Sequence, residues 1–193
     1  MQRMDDFKDV LMCAYETAMR LGEICKLTAG QVKLDIQHIS GDVLDYIDLG
    51  IFDTKTGARR TIPVSAELKE VLQRRIKDLD NEDPVFTTKS DSKFTSSIIF
   101  KRFRNACQEA GIIYGDKPRN AKGERIGIVF HCLRHTRTSK WVDMGYSDEI
   151  IRRATGHKSL EAYQQYVKLD PHAVMRLVKE TGDKNGTKLT QSL

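Results

Sequence analysis

The last third of the chain holds His131-Cys-Leu-Arg134, then Gly156-His157, then Tyr166, with Arg20 and Glu23 far upstream in Thr17-Ala-Met-Arg-Leu-Gly-Glu23. These side chains suit chemistry on a phosphodiester. Two arginines can clamp a phosphate, two histidines can donate hydrogen bonds or move a proton, and a tyrosine hydroxyl can attack phosphorus to form a covalent intermediate. Such chemistry needs no metal, and no acidic cluster with ligand spacing argues for one. No cofactor is expected. Each motif alone is a weak signal, because short patterns arise by chance; all of them together, in this order, are an uncommon coincidence.

Taken singly, most of these residues have a plainer reading. Arg20, on the polar flank of a first helix that Gly22 would end, could be a solvated helix-end cation. Glu23, three residues on, could pair with it, and a guanidinium held by a carboxylate makes a better phosphate fork than a free one. Lys55 lies in Asp53-Thr-Lys-Thr-Gly57, near a hairpin turn, where most lysines serve solubility but a mobile one can reach a site as an acid. His131 and Arg134 are one helical turn apart and share a helix side, whereas His135 reads as a packing or surface histidine. His157 follows Gly156 at a helix end and could cap it. Tyr163 and Tyr166 compete as nucleophile: with Leu160, Tyr163 and Val167 as the buried stripe of a helix, Tyr166 stands to one side and can face a site.

The elements that must position these groups are legible in outline. Phe7, Val10, Leu11, Ala14 and Ala18 follow helical spacing, which predicts a helix from about Asp5 to Met19, then a short one from Glu23 to Leu27. Alternation between Val43 and Val64 predicts an antiparallel hairpin or small sheet. Ser65 caps a helix from Glu67 to about Leu79, and a further helix runs from about Ser96 to Ala110 and stops at Gly111. Residues 114–127 read as a basic loop that could contact DNA or serve as a surface connection, the second being favoured. Helices follow at Phe130 to Met144 and from Ser147 to Gly156; Ser159 caps another and Pro171 opens the last. The fold class is mainly α with a small antiparallel β-sheet (α+β).

At 193 residues the chain has room for one domain with a real core. Its net charge of +5 and pI near 9.0 fit a polyanion partner and equally a well-solvated lysine-rich surface. The basic residues are spread over several elements and do not form one tail, which suits a folded DNA-binding surface. No apolar run approaches the ~18 residues of a spanning helix and no signal peptide is evident, so no membrane association and a cytoplasmic location are expected. Cys13, Cys25, Cys107 and Cys132 are scattered without metal spacing and read as buried, reduced thiols.

With these positions in place, the chain resembles the catalytic domain of the tyrosine recombinases, the phage integrase family, over roughly Asp5 to Lys179. The family's ordered signature of arginine, hairpin lysine, His-x-x-Arg, histidine or tryptophan, then tyrosine falls on Arg20, Lys55, His131, Arg134, His157 and Tyr166, with Glu23 at the acidic position. The resemblance implies site-specific recombination of double-stranded DNA through a 3'-phosphotyrosyl intermediate, with Tyr166 as nucleophile. Arg20 and Arg134 would neutralise the phosphate, His131 would act as base, Lys55 as acid, His157 as hydrogen-bond donor, and Glu23 as support. It further implies a tetramer on DNA, a monomer alone, and nucleoid association. Residues 1–180 would be the catalytic domain and 181–193 a polar tail, with the N-terminal core-binding domain absent. A non-catalytic DNA-binding module and a topoisomerase IB-like nicking-closing enzyme are the alternatives. Two positions depart from the pattern: Ala18 where glycine is common and Thr155 where leucine often precedes Gly-His. Both are expected to bear on local packing and not on the chemistry.

Overall fold

Val10, Cys13 and Ala14 recur at helical spacing and are buried, which folds Gln2–Thr17 into helix α1 of the computed structural model. The structure describes residues 2–54, 57–88 and 92–157. Helical spacing predicts that α1 runs to Met19, but it stops at Thr17. There the Thr17 hydroxyl donates to the Cys13 carbonyl (2.5 Å) and accepts from the Met19 amide (3.2 Å), and Ala18 turns into the left-handed region with φ 50°. A threonine that bonds back one turn competes with helix continuation. Arg20 is therefore not on the flank of the first helix. It has extended backbone and is the N-cap of α2 (Leu21–Ile24), so Gly22 lies inside a helix instead of ending one.

A single turn at Ala29–Gln31 leads into a three-stranded antiparallel sheet ordered β1 (Val32–Gln37), β2 (Val43–Leu49), β3 (Arg60–Pro63). β1 lies outside the hairpin that alternation predicts. Its register shifts between Lys33 and Ile36, and Asp35 there adopts φ 56°, which breaks the period-two pattern. In β2 and β3, Ile47 faces Ile62 and Leu49 faces Arg60, and all four are buried.

The expected helices follow. Ser65 accepts from the Leu68 amide and starts α3 (Ala66–Ile76), which buries Leu68, Val71 and Leu72. Val85 and Phe86 are buried, but they form a bend where an extended pair is expected; the Val85 amide donates to the Leu27 carbonyl (2.9 Å). α4 (Ser96–Glu109) ends before Gly111, which adopts φ 67°. The segment from Ile112 to Val129 folds back on itself, with a parallel bridge of Tyr114 to Ile128 and an antiparallel one of Arg119 to Arg125. α5 (His131–Asp143) packs on α1, and α6 (Asp148–Thr155) packs on both α5 and β3. Met19, Ile24, Leu27, Phe86, Phe94, Phe103 and Phe130 fill the core between these elements. The class is the expected one, mainly helical with a small antiparallel sheet.

Of the cysteines, Cys13 and Cys107 are buried, but Cys25 and Cys132 keep some solvent contact; all four are free thiols. Burial pushes Cys13 up to about 12. The helices expected from Ser159 and Pro171 lie outside the described residues. No helix among those described is long and apolar enough to cross a membrane.

Candidate active site

The site forms around the C-terminus of α6. Gly156 closes that helix in the left-handed conformation (φ 71°), with its amide and that of His157 both donating to the Arg152 carbonyl (2.8 and 3.2 Å). A helix end leaves carbonyls without helical partners, at the negative pole of the helix dipole. Three guanidiniums from three distant segments meet them. Arg60 Nη1 and Arg134 Nη2 donate to the Thr155 carbonyl at 2.7 and 2.8 Å, and Arg20 Nη2 donates to the Gly156 carbonyl at 3.1 Å. A side chain on residue 156 would meet the Arg60 guanidinium and would have to displace it from the Thr155 carbonyl, and the positive φ favours glycine as well.

Glu23 organises the cations. It is buried, accepts Arg20 through both the backbone amide (2.7 Å) and Nη1 (3.3 Å), and accepts Arg60 Nη2 at 2.5 Å. Removing one partner of such a buried pair costs about 3–5 kcal/mol, because the other charge is left uncompensated. Arg134, only 2 % exposed, spans the domain interior: its Nη1 donates to the Ala18 carbonyl at 2.6 Å, tying the end of α1 to the end of α6. Its Nη2 also lies 3.1 Å from His157 Nε2, while His157 Nδ1 lies 2.7 Å from Thr155 Oγ1.

His131 is the first residue of α5, and its ring packs edge-on against His135 with centroids 4.8 Å apart. Desolvation, then His135, Arg134 and Arg20, pull His131 down to about 4. His157 falls to about 4 as well, first through burial and then through Arg134, Arg20, Arg60 and His131. Both imidazoles are thus neutral at pH 7. Three guanidiniums against one carboxylate leave a surplus of positive charge suited to an anion with several oxygens.

Hydrogen bonds join Arg20, Glu23, Arg134 and His157 in one cluster, and His131 lies within electrostatic reach of it. Lys55 and Tyr166 lie outside the described residues. Four residues at or near the cluster are absent from the set of site residues read from sequence. Arg60 reads there only as half of a basic Arg59-Arg60 pair, yet it alternates in phase with Ile62, which places its charge on the buried face of β3. Ala18 and Thr155, expected to matter for packing alone, touch Arg134 through their carbonyls, and the Thr155 hydroxyl touches His157. Arg125, in the loop read as a DNA contact or a surface connection, acts electrostatically on His135 and lowers its pKa, after burial and Arg134.

A helical domain in which a small sheet and three remote arginines close on one helix terminus has the fold of the tyrosine-recombinase catalytic domains. It superimposes on the Tn1549 transposon integrase in complex with transposon right end DNA with a TM-score of 0.67, at 14 % identity, over 94 % of this chain and 60 % of that one. For the XerH recombinase bound to difH substrate the TM-score is 0.64, at 17 % identity, over 89 % and 45 %. Tyrosine recombinase XerA of Pyrococcus furiosus is 22 % identical over 164 residues, which are 83 % of this chain and 49 % of XerA. The chain therefore spans about half the length of that relative. The family model for the phage integrase family matches residues 5–173. The chain belongs to the phage integrase family.

Proposed function

We propose that this chain is the catalytic domain of a site-specific DNA recombinase that cuts and rejoins duplex DNA by transesterification through a 3'-phosphotyrosyl intermediate. The observation that carries the reading is the convergence of Arg20, Arg134 and His157 from remote segments onto one point, in a member of this family. Tyr166 attacks the scissile phosphorus; its phenolic oxygen forms the new P–O bond as the 5'-oxygen leaves. A free tyrosine titrates near pH 10, so the step needs help at pH 7. His131, neutral at that pH, takes the phenolic proton, and Lys55 returns one to the leaving oxygen. Arg20 and Arg134 offset the charge that builds on the non-bridging oxygens, and His157 adds a hydrogen bond there. Glu23 positions the guanidiniums of Arg20 and Arg60 by pairing with both.

A 5'-hydroxyl from a partner duplex reverses the step, which conserves bond energy and needs no nucleotide cofactor. Double-stranded DNA is the substrate, and strand exchange calls for several copies on it, a tetramer assembled from monomers. Residues 1–180 act as the catalytic domain, with a polar tail at 181–193.

The test is incubation with a nicked suicide duplex in EDTA followed by denaturing electrophoresis. A covalent protein-DNA band is expected, absent in Tyr166→Phe and reduced at least 100-fold in Arg134→Ala. A band that survives Tyr166→Phe rejects this nucleophile; the two variants' failure to differ from wild type in every assay would point to a non-catalytic DNA-binding module.

A further inference from the structure

We propose that Thr155 is a positioning residue that, together with Arg134, holds His157 in its Nδ1–H form, with Nε2 facing the guanidinium cluster as the atom a phosphate oxygen meets. This rests on the recombinase reading only for the identity of the phosphate; the tautomer follows from contacts within the chain. Guanidinium N–H groups donate and never accept. Arg134 Nη2 stands 3.1 Å from His157 Nε2, so Nε2 carries the lone pair and the ring proton belongs to Nδ1. Thr155 Oγ1, 2.7 Å from Nδ1, accepts that bond and sends its own hydrogen to the Ile151 carbonyl at 2.7 Å. From Arg134 through His157 and Thr155 to Ile151, every bond runs in one direction. Thr155 is 0 % exposed, so solvent does not substitute for its hydroxyl. The leucine that the family often carries before Gly-His offers no such atom.

A phosphate oxygen accepts and has no hydrogen to give, so His157 engages it only through a protonated Nε2. With Nδ1–H kept by Thr155, that ring is an imidazolium, and filling the site takes one proton from solvent onto Nε2. The charged and titratable groups facing the ring among the described residues are Arg134 and His131 on α5, Arg20 before α2 and Arg60 on β3, with Glu23 of α2 paired to both Arg20 and Arg60. Those cations oppose the proton while the site holds no anion; a phosphate charge offsets them.

The test is nitrogen-15 NMR of the imidazoles in the full chain at neutral pH, for wild type, Thr155→Val and Thr155→Ser. Wild type and Thr155→Ser are expected to give a pyridine-like Nε2 and a protonated Nδ1, and Thr155→Val a mixture of both tautomers. A protonated Nε2 in wild type, or a Thr155→Val spectrum identical to wild type, overturns the assignment. The proton step is read from the pH dependence of covalent-complex formation on the nicked duplex. Losing a hydrogen bond to the charged ring moves the alkaline limb of Thr155→Val down by about one pH unit, a roughly tenfold loss of rate on that limb, and Thr155→Ser restores it. An unmoved limb overturns the proton step. A wild type that forms no covalent complex defeats the recombinase reading instead, and the NMR arm still decides the role of Thr155.

Discussion

Ala18 is fully buried in a left-handed conformation, and its carbonyl holds Arg134. An L-residue pays about 1–2 kcal/mol there that glycine does not. Glycine in turn loses a buried methyl, about 0.8 kcal/mol, and about 0.4–1 kcal/mol through a freer unfolded chain. These nearly cancel, so Ala18→Gly is expected to change stability by less than about 1 kcal/mol. Ala18→Val, β-branched at positive φ and overpacked, should cost more than about 2 kcal/mol. Urea denaturation of the three proteins checks the order, and a valine variant as stable as glycine would disprove the account. Legibility in the sequence divides along the same line at this scale. Arg20, Glu23, Arg134 and His157 announce themselves by side-chain type. The carbonyls of Ala18 and Thr155 have no letter of their own, and Arg60 shows only when its strand phase is counted against Ile62.

Helix termini carry the two imidazoles, His131 at the start of α5 and His157 just past the end of α6. Both are held near 4 against an ordinary 6.5. Between those values the unfolded chain binds more protons than the folded one, so stability rises with pH there and falls as pH is lowered from about 6.5 toward 4. Melting temperature followed across that window should drop, and more steeply in wild type than in a His131→Asn, His157→Gln double variant. Equal slopes would show that these rings do not drive the effect. The start of α3, the ends of α4 and α5 and both ends of α6 are readable in the sequence because Ser65, Gly111, Gly145, Ser147 and Gly156 mark them chemically, whereas α3 stops at Ile76, short of the expected Leu79. The end of α1 and the whole of β1 are not, because Ala18 and Asp35 take positive φ beside hydrogen bonds that residue periodicity does not encode, Met19 amide to Thr17 hydroxyl and Asp35 amide to the Asp45 carboxylate of β2.

Across the whole molecule, the charge of +5 is spread over exposed side chains such as Lys101 and Arg104 on α4 and Arg119, Lys122 and Arg125 in the following loop. Arg125 acts electrostatically on His135. Duplex binding is therefore expected to weaken steeply with salt, by a slope of about −0.9 in log K against log salt for each phosphate neutralised, and Arg125→Ala should lower that slope by about one. Fluorescence anisotropy at several salt concentrations measures it; an unchanged slope would take Arg125 off the DNA-binding face. Three guanidiniums gathered this closely repel one another, and the Thr155 and Gly156 carbonyls act as a surrogate anion that lets the chain fold with the cations already in place. In the proposed reaction, capture of a phosphate would swap one set of oxygens for another, and it would require the α6 terminus to let go.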